Sequence, residues 1–129
     1  SVSTEVNRAS AWQSTWRRGE RAIRWHLRIR GWRLLGQNVR IGHDELDLVV
    51  VHPHRSVLAD VEVKATRGQW PIMSRVTEAK QYRLARAASR LPVRWRRDRL
   101  MRFDVGLVRV GRLRCNVEYC PAAFEAPCV

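Results

Sequence analysis

The sequence predicts a single α/β domain whose elements follow in the order helix, three strands, helix, two strands. The chain has 129 residues, which is enough for one compact domain and too few for two. Its hydrophobic content of 45% is ordinary for a globular protein. Apolar residues recur at helical spacing in two segments, and runs of alternating Val, Leu and Ile lie between and after those segments.

The first helix is predicted over residues 11–30. Its apolar stripe has spacings of four, seven and four residues. The stripe is formed by Trp12, Trp16, Ile23 and Leu27. Gly31 is predicted to cap the C-terminus of the helix, because glycine tolerates the left-handed backbone found there. The polar residues 1–10 are predicted to form a disordered N-terminal arm.

Glu20 lies on the apolar stripe of this helix, next to Gly19. A carboxylate on a core-facing stripe is unusual, because burying it without a partner costs free energy. In one interpretation Glu20 pairs with an arginine at the edge of the core, and in the other it points into a functional site. The opposite side of the helix is rich in arginine and includes Arg17 and Arg18.

The residues from Asp44 to Lys64 predict a β-hairpin, since two apolar runs flank a polar turn at residues 52–55. Side chains alternate along strands, so pairing in the hairpin brings Asp47 opposite Glu62 or one diagonal away. Like charges at that position destabilise a bare hairpin, whereas a divalent cation between them would be ligated by carboxylate oxygens. The alternative interpretation is that these residues face solvent on an amphipathic strand.

The remaining elements follow from the same signals. A strand over residues 32–41 precedes the hairpin. A loop over residues 65–74 follows it, because glycine and proline interrupt regular structure there. The chain then forms a helix over residues 75–90, a short basic connector, and two strands over residues 102–110 and 113–119.

Lysine is rare in this chain, which draws attention to the positions where it occurs. Of the 25 basic residues, two are lysines, Lys64 and Lys80, and the other 23 are arginines. A compact ammonium can position or polarise a water, whereas a guanidinium is planar and stays protonated. Lys80 interrupts the apolar stripe of the second helix, as Glu20 interrupts that of the first. Together with the acidic pair of the hairpin, these inward charges predict one shared polar site.

The net charge of +13 predicts a polyanionic partner, of which nucleic acid is the commonest. No apolar run approaches the roughly 20 residues that a membrane span requires. In the loop after the hairpin, Arg67, Gln69 and Trp70 form a basic and aromatic set that can contact a phosphate and a base. The alternative for Trp70 is that it packs onto the sheet.

The cysteines and histidines predict neither a disulfide framework nor a zinc site. The three cysteines are all C-terminal and irregularly spaced, and the four histidines lack the spacing of metal ligands. Free cysteines are typical of a reducing compartment, so a cytoplasmic location is expected.

In the order and spacing of its motifs the chain resembles the YraN-like proteins (uncharacterised protein family 0102), a branch of the PD-(D/E)xK nuclease-like, restriction-endonuclease-fold superfamily. The matching residues extend from the first helix to the segment after the last predicted strand. They are Gly19, Glu20, Gly31, Trp32, Asn38, Glu45, Leu46, Asp47, Val61, Glu62, Val63, Lys64, Arg67, Lys80, Arg83, Leu84, Arg102, Phe103, Asp104, Val105, Ala123 and Phe124. Asp44 departs from the family pattern, which usually has glycine there.

The resemblance implies a restriction-endonuclease-like αβββαβ core over residues 11–125, with a mixed central sheet flanked by helices, and a tail at 126–129. It further implies hydrolysis of phosphodiester bonds in DNA, with Mg²⁺ or Mn²⁺ held by Asp47, Glu62 and the backbone carbonyl of Val63. Lys64 would stand beside the attacking water. Glu20 matches the acidic residue that this superfamily often adds from its first helix.

Two functions of different classes remain open. The first is a metal-dependent endonuclease acting on DNA, including branched or single-stranded DNA, and the second is a non-catalytic nucleic-acid-binding protein of the same fold. The acidic pair favours the enzyme, since carboxylates repel phosphate when no metal is bound. RNA is the less favoured partner, because the aromatic residues lack an RNP pattern. Homodimerisation is left open. The predicted catalytic residues are Glu20, Asp47, Glu62, Lys64 and Lys80, and the predicted nucleic-acid contacts are Arg17, Arg18, Arg67, Gln69, Trp70 and Arg83.

Overall fold

A computed structural model describes the backbone of residues 2–69 and 76–125, and the side chains of these segments from residue 10 onward. The elements are α1 (Val2–Arg28), β1 (Arg33–Ile41), β2 (Asp44–His52), β3 (Val57–Arg67), α2 (Glu78–Ser89), α3 (Val93–Arg96), β4 (Leu100–Val110) and β5 (Cys115–Phe124). The predicted order of helices and strands is confirmed. The short helix α3 is an addition, in the place where a basic connector was predicted.

The five strands form one mixed sheet in the order β1-β2-β3-β4-β5. β3 and β4 are parallel, and all other neighbours in the sheet are antiparallel. A parallel pair needs a crossover connection, which here contains α2 and α3. α1 packs on one face of the sheet and α2 on the other, so the prediction of a mixed sheet flanked by helices is confirmed.

Each face of the sheet has its own apolar core. On the α1 face, Ile23 and Leu27 pack against a group of β-branched residues and alanines from β2, β3 and β4. On the α2 face, Leu84 and Leu91 pack against residues of β2 and β3 and against Phe103 of β4. The stripes predicted for both helices therefore include true core residues, because a 3.6-residue period places them on one face.

The N-terminal part of the predicted α1 stripe is wrong. Trp12 is 60% exposed, and every described side chain from residue 10 to residue 14 is exposed. The first buried side chain of the described part of α1 is that of Thr15. Over this stretch none of the described residues covers the apolar side chains of the helix. The helix itself begins at Val2, and the chain is therefore helical where a disordered arm was predicted.

Several other boundaries differ from the prediction. β3 continues to Arg67 because its parallel pairing with β4 extends as far as the pair Arg67↔Val110. β5 begins at Cys115 and continues to Phe124, which leaves Leu113 in the preceding turn with 91% of its surface exposed. The start predicted for α2, the loop residues 70–75 and the tail 126–129 lie outside the described residues.

α2 begins at Glu78 and is capped by the side chain of Thr77. The hydroxyl oxygen of Thr77 accepts a hydrogen bond from the backbone N–H of Lys80 at 3.2 Å. A cap of this kind satisfies one of the backbone donors that a helix start leaves unpaired. It fixes the first turn of α2, which carries Lys80 on the side facing the sheet.

Gly19 allows α1 to approach the sheet closely. A Cβ atom at this position would lie 2.6 Å from the Cβ of Ala65 on β3, a distance that two carbon atoms do not tolerate. A larger residue would therefore push α1 away from β3. The glycine places the next residue, Glu20, near the end of the hairpin that carries the acidic pair.

Within the part of the chain that the structure describes, no helix could cross a membrane. α1 has 27 residues and would be long enough. The arginines along it, Arg17, Arg18, Arg21 and Arg24 among them, make it far too polar.

Candidate active site

Asp47 and Glu62 lie at the point where backbone pairing between β2 and β3 ends. The pairing is continuous from His52↔Val57 to Leu48↔Val61. Beyond this pair the Asp47 side chain makes the contact to β3, since its Oδ2 accepts a hydrogen bond from the backbone N–H of Val63 at 2.9 Å. The structure thus brings the two carboxylates together, as the hairpin pattern predicted.

The β1–β2 hairpin bends at Asp47. Leu46 belongs to the core of the α2 face and Leu48 to the core of the α1 face, although residues two apart share a face in a regular strand. On the neighbouring strand, Asn38 lies between the paired residues of this region and has a left-handed backbone with φ 49°. The prediction of strict alternation is therefore wrong here.

The bend places the Asp47 carboxylate where groups from both faces of the sheet can reach it. From the α1 side, its charge raises the pKa of Glu20 in addition to the larger effect of burial. From the α2 side, the ammonium of Lys80 lowers the pKa of Asp47. Burial outweighs this ammonium and the Val63 hydrogen bond, so the pKa of Asp47 is raised on balance. Asp47 thus interacts electrostatically with Glu20 of α1 and with Lys80 of α2.

Glu62 is only 4% exposed and is held by Lys80. The Lys80 Nζ lies 3.4 Å from Glu62 Oε1, whereas Glu62 Oε2 is buried without a hydrogen-bond partner among the described residues. Burial, followed by repulsion from Asp47, raises the pKa of Glu62 to about 7 despite the opposing effect of Lys80. A buried carboxylate oxygen without a donor costs free energy, which either a proton or a cation at this oxygen would relieve.

Lys64 extends into the same region from β3. Its side chain is half-buried. Burial and repulsion from Lys80 lower the pKa of Lys64, and the charge of Glu62 opposes this shift. A lysine with a lowered pKa gives up its proton more readily, which suits it to proton transfer at a water molecule.

Glu20 is 2% exposed, and its contacts confirm the interpretation in which it pairs with an arginine. Its carboxylate accepts a hydrogen bond from Gln37 Nε2, and its Oε1 lies 4.0 Å from Arg24 Nε. Its second oxygen, Oε2, is buried without a partner among the described residues. Glu20 is therefore paired with an arginine and also lies within electrostatic reach of Asp47.

Asp60 is a further acidic residue of this region, which the sequence did not single out as a site residue. It is 0% exposed, and within the described part of the chain neither carboxylate oxygen has a hydrogen-bond partner. Burial raises its pKa well above the ordinary value of 3.8, and the neighbouring charges of Glu62 and Asp47 add to the effect. The period-two alignment of Asp60 with Glu62 on β3 was the available signal.

Asp60→Asn should make the metal-free protein less sensitive to pH. A carboxyl group whose pKa is higher in the folded than in the unfolded protein favours folding less as pH rises above its unfolded value. Asparagine mimics the protonated form and removes this loss, at most about 1.4 kcal/mol per pH unit for one proton. The free energy of unfolding from urea titrations between about pH 4 and pH 8 measures it.

The matched control for this measurement is Asp98→Asn, since Asp98 is exposed in the turn before β4. We expect the control to follow the unsubstituted protein. The stability of Asp60→Asn relative to that protein should increase with pH. If the free energies of unfolding of Asp60→Asn and of the unsubstituted protein change with pH in parallel, the pKa of Asp60 is not raised on folding.

Asp47 and Glu62 fit a magnesium or manganese ion, because Mg²⁺ is usually bound by one or two carboxylates plus waters and substrate phosphates. Among the described residues no group of three or more His, Cys, Asp and Glu side chains is arranged to hold a metal by itself. Asp47 and Glu62 are two carboxylates and do not by themselves make up such a group. Cys115 and Cys120 have free thiols, and Cys128 lies outside the described residues. The role predicted for the Val63 carbonyl stays a prediction.

The residues predicted to contact nucleic acid lie on several elements. Arg17 on α1 and Arg83 on α2 are exposed, and Arg18 on α1 is half-buried. Arg67, at the end of β3, donates a hydrogen bond from Nε to Thr15 Oγ1 and so ties that strand end to α1.

The loop beyond β3 is described only at its start. Gln69 is exposed, and its backbone carbonyl accepts a hydrogen bond from the Thr66 hydroxyl at 2.6 Å. Trp70, predicted to stack on a base, lies outside the described residues.

Comparison with known proteins places this arrangement in a family. The sequence profile of the uncharacterised protein family UPF0102 matches residues 19–108, from Gly19 at the close helix contact to Val108 on β4. This segment contains all five charged residues described above as the predicted catalytic set.

Individual relatives agree with the profile. A UPF0102 protein of Syntrophotalea carbinolica is 39% identical over 111 residues, which cover 83% of this chain and 88% of the relative. One from Rhizorhabdus wittichii is 35% identical over 108 residues, covering 83% and 90%. One from Symbiobacterium thermophilum is 40% identical over 105 residues, covering 77% and 87%. The chain therefore belongs to protein family UPF0102.

Proposed function

We propose that this protein is a metal-dependent endonuclease of the PD-(D/E)xK type that hydrolyses phosphodiester bonds in DNA. The observation that carries the proposal is a pair of neighbouring carboxylates, buried Glu62 and half-buried Asp47, with half-buried Lys64 in the same region. The proposal includes a restriction-endonuclease-like arrangement of the αβββαβ core. It also agrees with the net charge of +13, since a polyanionic substrate would be attracted to such a surface.

In this proposal Asp47 and Glu62 hold one Mg²⁺ or Mn²⁺ ion. When bound, the ion would acidify a water and stabilise negative charge on the phosphate. The fit rests on the unpartnered Oε2 of Glu62 and on the repulsion between the two carboxylates, both of which a cation would remove. The hydrogen bond from the Val63 amide would keep Asp47 in position throughout.

The two lysines have different tasks. In this proposal Lys64 orients the attacking water and takes up its proton, which its lowered pKa favours. Lys80 braces Glu62 at 3.4 Å and balances the charge of the acidic pair before substrate arrives. Glu20 adds negative charge from α1, within electrostatic reach of Asp47.

The second candidate is a nucleic-acid-binding protein that keeps this fold without turnover. The surface arginines favour it as much as they favour the enzyme. The acidic pair does not, because its carboxylates repel phosphate and the burial of the Glu62 charge costs free energy unless a cation compensates it. On this ground we place the enzyme first and the binding protein second.

The test uses the unsubstituted protein with duplex, branched and single-stranded DNA of one base composition. Cleavage is measured with Mg²⁺, with Mn²⁺ and with a chelator, and binding is measured in the chelator over a range of salt. We expect cleavage only with metal, and an affinity that falls with salt at a slope of about −0.9 per neutralised duplex phosphate.

The outcomes separate the candidates. Salt-dependent binding without cleavage of any of these DNAs in either metal would support the second candidate. A flat salt dependence, or no binding in dilute buffer, would contradict both, because each assigns the net charge to phosphate contacts.

A further inference from the structure

A pocket of about 740 Å³ lies between α1 and β1. Its floor is apolar and buried, and is formed by Leu27, Trp32 and Val50. Its rim is cationic, with Arg21, Arg24 and Arg28 from α1 and Arg33 from β1. We call the pocket defined by these seven residues the α1–β1 groove.

An aromatic side chain stands at the mouth of the groove. Trp25 lines the groove and is 62% exposed. A large exposed indole beside an apolar floor offers a flat surface on which another ring can stack. None of the described residues that line the groove is acidic. The combination fits a ligand that carries both a flat ring and a negative charge.

The groove is connected to the acidic site through Arg24. This residue lines the groove, donates a hydrogen bond from NH1 to Gln37 Oε1 at 3.3 Å, and approaches Glu20 to 4.0 Å. Glu20, Arg24 and Arg28 are spaced four residues apart and therefore follow one line along α1. From Glu20 to Arg28 this line is about 12 Å long, at 1.5 Å per residue.

Trp32, in the floor of the groove, is supported by Arg102. The Arg102 guanidinium lies 5.1 Å from the centre of the Trp32 ring. Asp104, which is fully buried, accepts two hydrogen bonds from Arg102, at 2.8 and 2.9 Å, and a third from the Tyr119 hydroxyl. A floor supported in this way is pre-organised, so a ligand would lose little affinity in ordering it.

We propose that the α1–β1 groove binds unpaired nucleotides of DNA, with a base against Trp25 and phosphates on the arginine rim. In a duplex the bases are stacked inside the helix and their faces are not available to an indole. An unpaired base can leave the stack and pack on an aromatic side chain, as it does on other single-strand-binding proteins. As a statement about substrate, the inference rests on the proposed nuclease function. It adds that the strand next to the scissile phosphate is single-stranded.

The test measures binding of a fluorescein-labelled oligothymidylate and of a duplex of equal length, both in a chelator so that no cleavage occurs. Trp25→Ala should weaken binding of the oligothymidylate roughly tenfold, because stacking on an aromatic side chain is lost. Trp25→Phe keeps an aromatic face and should restore most of the affinity. Arg28→Ala should also weaken it, since a phosphate contact is removed.

Two control variants distinguish a loss of groove binding from the general effect of removing an exposed tryptophan or arginine. Trp12→Ala removes an equally exposed tryptophan of the same helix, about 20 Å from Trp25 along its axis. Arg112→Ala removes an exposed arginine in the turn between β4 and β5. Equal losses for the groove variants and their controls would overturn the inference. The inference would also be overturned if the groove variants lost as much affinity for the duplex as for the oligothymidylate, because the groove would then be an unspecific cationic surface.

A second measurement uses the unsubstituted protein and needs no variant to fold. An oligonucleotide with photoreactive 4-thiothymidine is cross-linked and the attached peptide is identified by mass spectrometry. Cross-links within residues 21–34 support the inference, and cross-links confined to other segments overturn it. Neither measurement requires turnover. If the groove binds the oligonucleotide but the protein does not cleave DNA, the inference stands and the proposed nuclease function is contradicted. If the protein cleaves DNA but the groove variants bind oligothymidylate with unchanged affinity, the nuclease function stands and the inference is contradicted.

Discussion

Glu62→Gln should abolish metal-dependent cleavage and leave DNA binding unchanged or tighter. The substitution removes one of two carboxylate ligands and also a negative charge that repels phosphate. We expect cleavage to fall by more than roughly a hundredfold, since even the outer partners of metal ligands cost 10–100-fold when changed. Asp47→Asn should behave in the same way. Cleavage rates in Mn²⁺ and DNA affinity in a chelator check the two halves of this expectation.

Loss of the fold would not explain such a result. Because the pKa of Glu62 is raised to about 7, a neutral side chain at this position costs the metal-free protein little at neutral pH. Glu118→Gln, at an exposed position on β5, is the control for removal of one negative charge. Calorimetry should show a weakened affinity for Mn²⁺ in both site variants and an unchanged affinity in the control. Unchanged Mn²⁺ affinity in Glu62→Gln and Asp47→Asn would contradict the assignment of the metal site.

Lys64→Arg should bind DNA like the unsubstituted protein and lose most of its cleavage. The charge is kept, but the guanidinium has a different shape and does not release its proton near neutral pH. If Lys64 acts on the proton of the attacking water, the loss should be at least roughly a hundredfold, the lower end for general acid–base groups. The comparison is made at one salt concentration with Mn²⁺ supplied, and circular dichroism verifies the fold.

Lys80→Arg is the matched control for this prediction, because it makes the same change on the facing helix. Lys80 contacts Glu62 at 3.4 Å, and an arginine can keep that ion pair. We therefore expect a smaller loss than for Lys64→Arg. Equal activity of Lys64→Arg and the unsubstituted protein would show that the chain keeps lysine there without a catalytic reason. The binding protein would then be the better proposal.

The fold was predictable where it depends on local patterns. The hairpin around residues 52–55 follows from two apolar runs and a polar turn, and both helices follow from apolar residues at a 3.6-residue period. The same local rules placed Asp47 beside Glu62, since pairing in a short hairpin leaves little choice of register. Lys80 was predictable as an inward charge because it interrupts an apolar stripe.

Other features depend on contacts between distant segments. Trp12 continues the α1 stripe, yet it is 60% exposed, whereas Ile23 and Leu27 on the same stripe are buried. The bend at Asp47 arises where Asn38 of another strand adopts a left-handed backbone, which a period-two pattern does not contain. Among the described residues Asp60 has no hydrogen-bond donor, and burial together with the charges of Glu62 and Asp47 raises its pKa.

The sequence by itself determined the order of the elements, the hairpin and the positions of its acidic pair, because periodicity and turn residues act over a few neighbours. Only the tertiary structure decided that Glu20 comes within electrostatic reach of Asp47, which depends on the close contact of Gly19 with Ala65. It also decided where the α1–β1 groove lies, since the residues of the groove come from α1, the connection after it, β1 and β2. Such contacts join segments whose local patterns are independent of each other, so only packing of the whole chain brings them together.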